Sequence, residues 1–146
     1  MPELGIQYAQ RSASIVQRPK AAANGRPGFD LEERLLNYAA EIIRLTERLP
    51  HTRAGNHVAS QLLRSGTSPL PNHGEAQAAE SRDDFIHKMS ICLKELRESK
   101  RRLRLIHQIP LSQESKAVGA LGQETEELIR IFAKSVRTAK AGGIES

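Results

Sequence analysis

Apolar residues fall into four blocks with the period of an amphipathic helix, and in the first and third the intervals of four and three alternate throughout. The first block runs Leu31, Leu35, Tyr38, Ile42, Leu45, Leu49, with Leu36, Ala39 and Ile43 widening the stripe. Asp30 is a suitable N-cap with Glu32 and Glu33 in the first turn, and Pro50 stops the pattern, so a helix is predicted from Asp30 to Leu49. The second block carries Ala54, Val58, Leu62 and Leu63 after His51-Thr52. Gly55 and Gly66 weaken it, and Pro69 and Pro71 interrupt its continuation. A short helical piece over Glu75 to Glu80 is expected next.

The third block has the clearest signal. Ser81 is the N-cap with Asp84 three residues on, and the seam runs Phe85, Met89, Cys92, Leu96, Ser99, Leu103, Ile106 before Pro110 ends it. The fourth starts at Ser112 as N-cap, with Glu114 in its first turn, and continues through Val118, Leu121, Thr125, Leu128 and Phe132 to Val136. Gly119 and Gly122 lower its early stability. No segment alternates with period two, so no strand is predicted. The links Pro50 to Thr52 and Ile109 to Ser112 are short enough to make each helix pair antiparallel neighbours. The expected fold is all-α: an antiparallel up-and-down four-helix bundle over residues 29–140, with a disordered, flexible basic N-terminal tail (1–28) and a disordered C-terminus (141–146).

A chain of 146 residues with 38% hydrophobic content suits one domain with one modest core. Charged residues interrupt every apolar run well short of the roughly 18–20 residues a spanning helix needs, so no membrane association is expected. The single Cys92 has no partner for a disulfide, and a cytoplasmic location is expected. The net charge of +5 is unevenly placed. Residues 1–28 hold four basic residues against Glu3, and residues 94–104 hold six against Glu95 and Glu98.

That second cluster matters because Lys94, Arg97, Arg101 and Arg104 are spaced three, four and three, nearly opposite the seam of Cys92, Leu96 and Leu103. Such a ridge can neutralise successive phosphates. It can equally be a solvated face that favours the helix dipole and carries a Glu98–Arg102 pair. Tyr38, Phe85 and Phe132 all occupy core-seam positions, so base stacking adds little, and binding is expected to be backbone-directed and to weaken with salt. A second constellation, Arg64, Ser68, Asn72 and Glu75, is a polar stripe on one helix face. Its structural reading is an Arg–Glu pair, with Ser and Asn completing the hydrogen bonding of a seam. Its functional reading is a small anion site.

Catalytic and metal signatures are sparse. His51, His57, His73, His87 and His107 read as surface or interface residues, since the nearest approach to a di-iron motif is the lone Asp84-x-x-His87. No metal site and no cofactor is expected. Cys92, flanked by Met89 and Leu96, reads as inert packing. No nucleophile elbow, P-loop or dinucleotide fingerprint is present, and Asn24 to Gly28 reads as a turn or linker.

The run Gln61-Leu62-Leu63-Arg64-Ser65-Gly66-Thr67-Ser68, then Asn72, Glu75-Ala76, Ser81 to Met89 and Lys94-Glu95, resembles the bacterial four helix bundle protein family, some of whose members are encoded in intervening sequences of large-subunit ribosomal RNA. The resemblance extends from Asp30 to about Val136. It implies an up-and-down bundle that assembles into a homopentamer and generally has no assigned enzymatic activity. A related group of accessory proteins works with reverse transcriptases of diversity-generating retroelements and binds nucleic acid through a basic surface. Two departures stand out. Pro69-Leu70-Pro71 replaces a stretch with fewer prolines, and Lys100-Arg101-Arg102 stands where the family often places aromatics that support an interface.

Leu36, Ile43, Ile86, Ile91, Leu93 and Leu105 flank the seams in excess of what a bundle consumes, which points to self-association. The reading reached from the sequence is a non-catalytic oligomeric scaffold that contacts RNA, DNA or a nucleic-acid enzyme through its basic ridge. The alternatives are a purely structural or protein-binding oligomer, and an enzyme whose site lies between subunits.

Overall fold

The computed structural model describes residues 27–109 and 111–145. The expected tail therefore lies outside the described residues, apart from its last two positions. Helices are α1 (Pro27–Glu47), α2 (Arg53–Thr67), α3 (Pro69–Gln77), α4 (Arg82–Gln108) and α5 (Ser115–Glu145), and no strand occurs among the described residues. Helix α1 starts three residues before Asp30. Proline fits a first helical turn because its φ is already helical and no N–H is needed there.

The turn into α2 explains one glycine. Thr52, in extended conformation, caps α2 by accepting from the Gly55 N–H at 3.0 Å. A Cβ on Gly55 would lie 2.0 Å from the Pro50 carbonyl oxygen, so a tight Pro50-His51-Thr52 link requires glycine. Gly66 serves a different close approach, since a Cβ there would sit 2.7 Å from Ile42 Cγ2 on α1. Both residues lower intrinsic helix propensity, and both let backbone reach places where any side chain would collide.

Pro69 and Pro71 divide the second rod without diverting it. Ser68 keeps right-handed helical angles (φ −63°, ψ −38°), its N–H donates to Arg64 O at 3.2 Å, and Asn72 N–H donates to Ser68 O at 3.3 Å. Helix α3 thus continues from α2 and ends at Gln77, so the separate piece expected over Glu75 to Glu80 is the tail of this rod followed by a turn. Ser81 caps α4 as expected, accepting from Asp84 N–H at 3.0 Å. Ser112 does not cap α5. Its Oγ accepts from Glu114 N–H at 3.0 Å within the preceding turn, and the helix begins at Ser115, with Val118 N–H donating to Glu114 O at 3.1 Å. The α5 backbone is helical to Glu145, past Ala141.

The four rods are α1, α2–α3, α4 and α5. The second rod and α5 each pack against both α1 and α4, which face each other diagonally across the bundle. Tyr38, Ile42, Leu45, Leu62, Met89, Leu96, Ile106, Leu128 and Phe132 fill the core. Inside it lies a layer of hydroxyls, one from each rod. Tyr38 Oη is 2.7 Å from Thr125 Oγ1, Thr125 donates to Leu121 O at 2.6 Å, and Ser65 Oγ is 2.8 Å from Ser99 Oγ. Every member has a partner, so the layer avoids the penalty of an orphaned buried hydroxyl.

The flanking apolar residues divide. Leu93 is buried within the chain, Ile86 packs against the core, and Leu36 and Ile91 are half-buried. Ile43 (44%) and Leu105 (43%) remain exposed, joined by Leu63 and Ile109, which the periodicity had not assigned outward. The surplus apolar surface is smaller than the sequence suggests, because neighbouring rods cover part of each wide stripe.

Candidate nucleic-acid interface

Lys94, Arg97, Arg101 and Arg104 are all exposed on one face of α4, over about 15 Å of helix at 1.5 Å per residue. Their surroundings sort the basic cluster. Arg102 turns toward the second rod, reaching Glu98 at 3.2 Å and Gln61 at 3.3 Å. Lys100 crosses to Glu126 of α5 at 3.0 Å. Among the described residues Arg101 is held only by Glu98 at 3.4 Å, an exposed contact of small energetic value. Among the described residues Lys94, Arg97 and Arg104 have no ion-pair partner. Lys100 and Arg102, the two cations off the ridge line, are thus the ones engaged with neighbouring rods. The outward row faces solvent.

The polar stripe has another geometry. Arg64 and Glu75 are too far apart along their rod to pair, and each finds a partner on α4: Arg64 reaches Glu95 at 3.4 Å, and Lys88 reaches Glu75 at 2.8 Å. The Arg–Glu pair expected within the stripe is thereby corrected to two cross-rod pairs. Asn72 Nδ2 donates to Ser68 O at 3.0 Å and Ser68 Oγ at 2.9 Å, adding hydrogen bonds beside the prolines that lack donors. The stripe is a polar seam joining α2–α3 to α4. Glu95, buried on that seam, has no distinctive sequence signal beyond its place beside Leu96.

His73 departs from the surface or interface placement. It is buried against α5, edge-on to Phe132 with ring centroids 6.1 Å apart, and Nε2 lies 3.3 Å from Gln77 Nε2. Its Nδ1 has no hydrogen-bond partner among the described residues. Burial lowers its pKa, opposed by the Glu32 charge. The prolines hide this in the sequence, since they obscure the phase that carries the helix from α2 into α3. Cys92 is buried with Sγ 3.5 Å from Pro69 O, and burial pushes the thiol up to about 12, far from a usable nucleophile. Among the described residues no three His, Cys, Asp or Glu side chains are placed to hold a metal ion. No described helix is long and apolar enough to cross a membrane.

An up-and-down bundle with an outward basic row on α4 is the class of protein that this geometry defines. The family model described as 23S rRNA-intervening sequence protein matches residues 30–134, and the chain belongs to that family. A crystal structure of a protein of unknown function from the S23 ribosomal protein family of Bacteroides thetaiotaomicron matches with a TM-score of 0.69 and 27% identity, over 75% of this chain and 97% of that one. No curated protein sequence matches.

Proposed function

We propose that the protein is a non-catalytic, self-associating helical scaffold of the cytoplasm that contacts nucleic acid, or an enzyme working on it, through the α4 ridge. The observation that carries this reading is the row Lys94, Arg97, Arg101 and Arg104, exposed together while Lys100 and Arg102 engage other rods. Cations at helical spacing lie close enough to neutralise neighbouring phosphates on one strand, and repetition of the row in an assembly multiplies the effect. The family description links its members to 23S rRNA, which makes RNA the first polyanion to test. Exposed Ile43, Leu63, Leu105 and Ile109 support self-association, since an assembly would remove them from water. The homopentamer implied by the resemblance remains part of the proposal. Burial of Cys92 and His73 supports a non-catalytic role by taking a thiol and an imidazole out of reach of substrate.

A mobility-shift titration with structured RNA at two salt concentrations tests the ridge. Affinity should fall steeply with salt, and the combined Arg97→Glu, Arg101→Glu and Arg104→Glu variant should lose binding while keeping its fold. Binding that survives the triple reversal, or that never appears at low salt, favours the purely structural or protein-binding oligomer instead. Light scattering tests the assembly: a monomeric mass would overturn it.

A further inference from the structure

Beside the ridge, the last turns of α4 and the first turns of α5 enclose an open cleft of about 510 Å3, a size at which pockets hold a drug-sized ligand. We infer that this cleft takes one unpaired nucleotide of a nucleic-acid strand whose phosphates follow the ridge, an inference that rests on the proposed function and adds a preference for unpaired positions.

The room comes from missing side chains. Gly119 and Gly122 lie one turn apart on α5, and a Cβ at either would meet nothing within 4 Å. Leu103 and Val118, both buried, supply the apolar lining. Charge selects an anion at the rim: the Lys100 ammonium is neutralised by Glu126 at 3.0 Å, whereas Arg104 has no ion-pair partner among the described residues. Arg104 belongs both to the ridge and to the cleft wall, so a strand tracking the ridge brings its sugar and base to the opening.

The lining suits a base better than a bare phosphate. A phosphate would use Arg104 and leave the apolar surface wet. A base has a planar face for the Arg104 guanidinium and the exposed His107 ring, groups of the two kinds on which bases stack. Its edge offers donors and acceptors that the amides of Gln108 and Gln123 can match. Paired bases are stacked inside a helix and cannot enter, so only a bulged, looped or single-stranded nucleotide qualifies.

Fluorescence anisotropy of the full chain at low salt tests this with four probes: an RNA duplex, the same duplex with a one-nucleotide bulge, and both as DNA. The bulged probe in RNA, in DNA or in both should bind about tenfold tighter than its paired counterpart, the low end of what stacking one base contributes. Gly122→Leu, which fills the cleft without altering the ridge, should abolish that preference and leave duplex binding unchanged. Gly119→Leu is the second variant, and melting curves should show both folded, because each substitution enters open space on a helix. Equal binding of bulged and paired probes by the unmodified chain, or a preference that survives both variants, overturns the cleft and leaves the ridge standing. Failure of every probe to bind the unmodified chain removes the ridge, and the cleft with it.

Discussion

Tyr38 of α1 and Thr125 of α5 are joined across the core by a 2.7 Å hydrogen bond between their hydroxyls. Because Thr125 donates its own proton to Leu121 O at 2.6 Å, its oxygen accepts from the phenol. The bond fixes the register of two helices that meet otherwise through large side chains and the Arg34 pairs with Glu124 and Glu127. An apolar pair could slide by a turn at modest cost. A buried hydroxyl that loses its partner cannot, since it would forfeit about 1–3 kcal/mol.

Two measurements follow for Tyr38. In denaturant titrations, Thr125→Val should cost about 1–3 kcal/mol, and the Tyr38→Phe, Thr125→Val double variant should cost less than the sum of the single variants. Burial holds the phenol up at about 12, above its ordinary value near 10. The folded state therefore binds this proton more tightly than the unfolded chain does. The resulting stability is complete below pH about 10 and is lost as pH rises toward 12, at about 1.4 kcal/mol per unit. Tyr38→Phe should flatten that part of the alkaline limb.

His73 has the opposite dependence on pH. Burial lowers its pKa, so below about pH 6.5 the unfolded chain takes up a proton that the folded core resists, and stability falls with falling pH. Thermal melts across pH 5 to 7.5 should show a drop for the natural chain, and His73→Leu should reduce it. Equal slopes for the two proteins would mean that other groups govern the acid limb.

The glycines divide into two classes with opposite predicted signs. Gly55→Ala should be the most damaging, because the clash is with the Pro50 carbonyl, which is backbone and cannot move aside. Gly66→Ala should cost about 1–3 kcal/mol through overpacking against Ile42, and less in an Ile42→Ala background. Gly119→Ala should instead stabilise the protein by about 0.5–1 kcal/mol, since its site is open and alanine favours helix. Chemical denaturation of the three glycine variants, of Ile42→Ala and of the Ile42→Ala, Gly66→Ala double variant measures all of these.

Cys92 should resist thiol reagents in the native protein at pH 8 and react readily in denaturant. A thiol held near 12 rather than 9 carries about a thousandth of the ordinary thiolate. Rapid native labelling would mean that α3 and α4 separate locally at Pro69, whose carbonyl faces the sulfur.

The helices and their order follow from the sequence, because the three-and-four spacing of Leu31 to Leu49 and of Phe85 to Ile106 is a local property that no other regular structure satisfies. Ser81 was legible for the same reason, its cap being decided within four residues. The exposure of Lys94, Arg97, Arg101 and Arg104 was also readable, since a residue opposite a continuous apolar seam has nowhere to point but outward. Tertiary structure alone decided which cations stay unpaired: Glu126 and Gln61 become neighbours of Lys100 and Arg102 only when separate rods dock. It also decided that Arg64 pairs with Glu95 rather than Glu75, that His73 is buried, and that Gly55 and Gly66 are required while Gly119 and Gly122 leave space. A glycine's role depends on the atom facing its missing side chain. That atom comes from another rod at Gly66 and from a turned-back link at Gly55, distances that linear spacing does not encode.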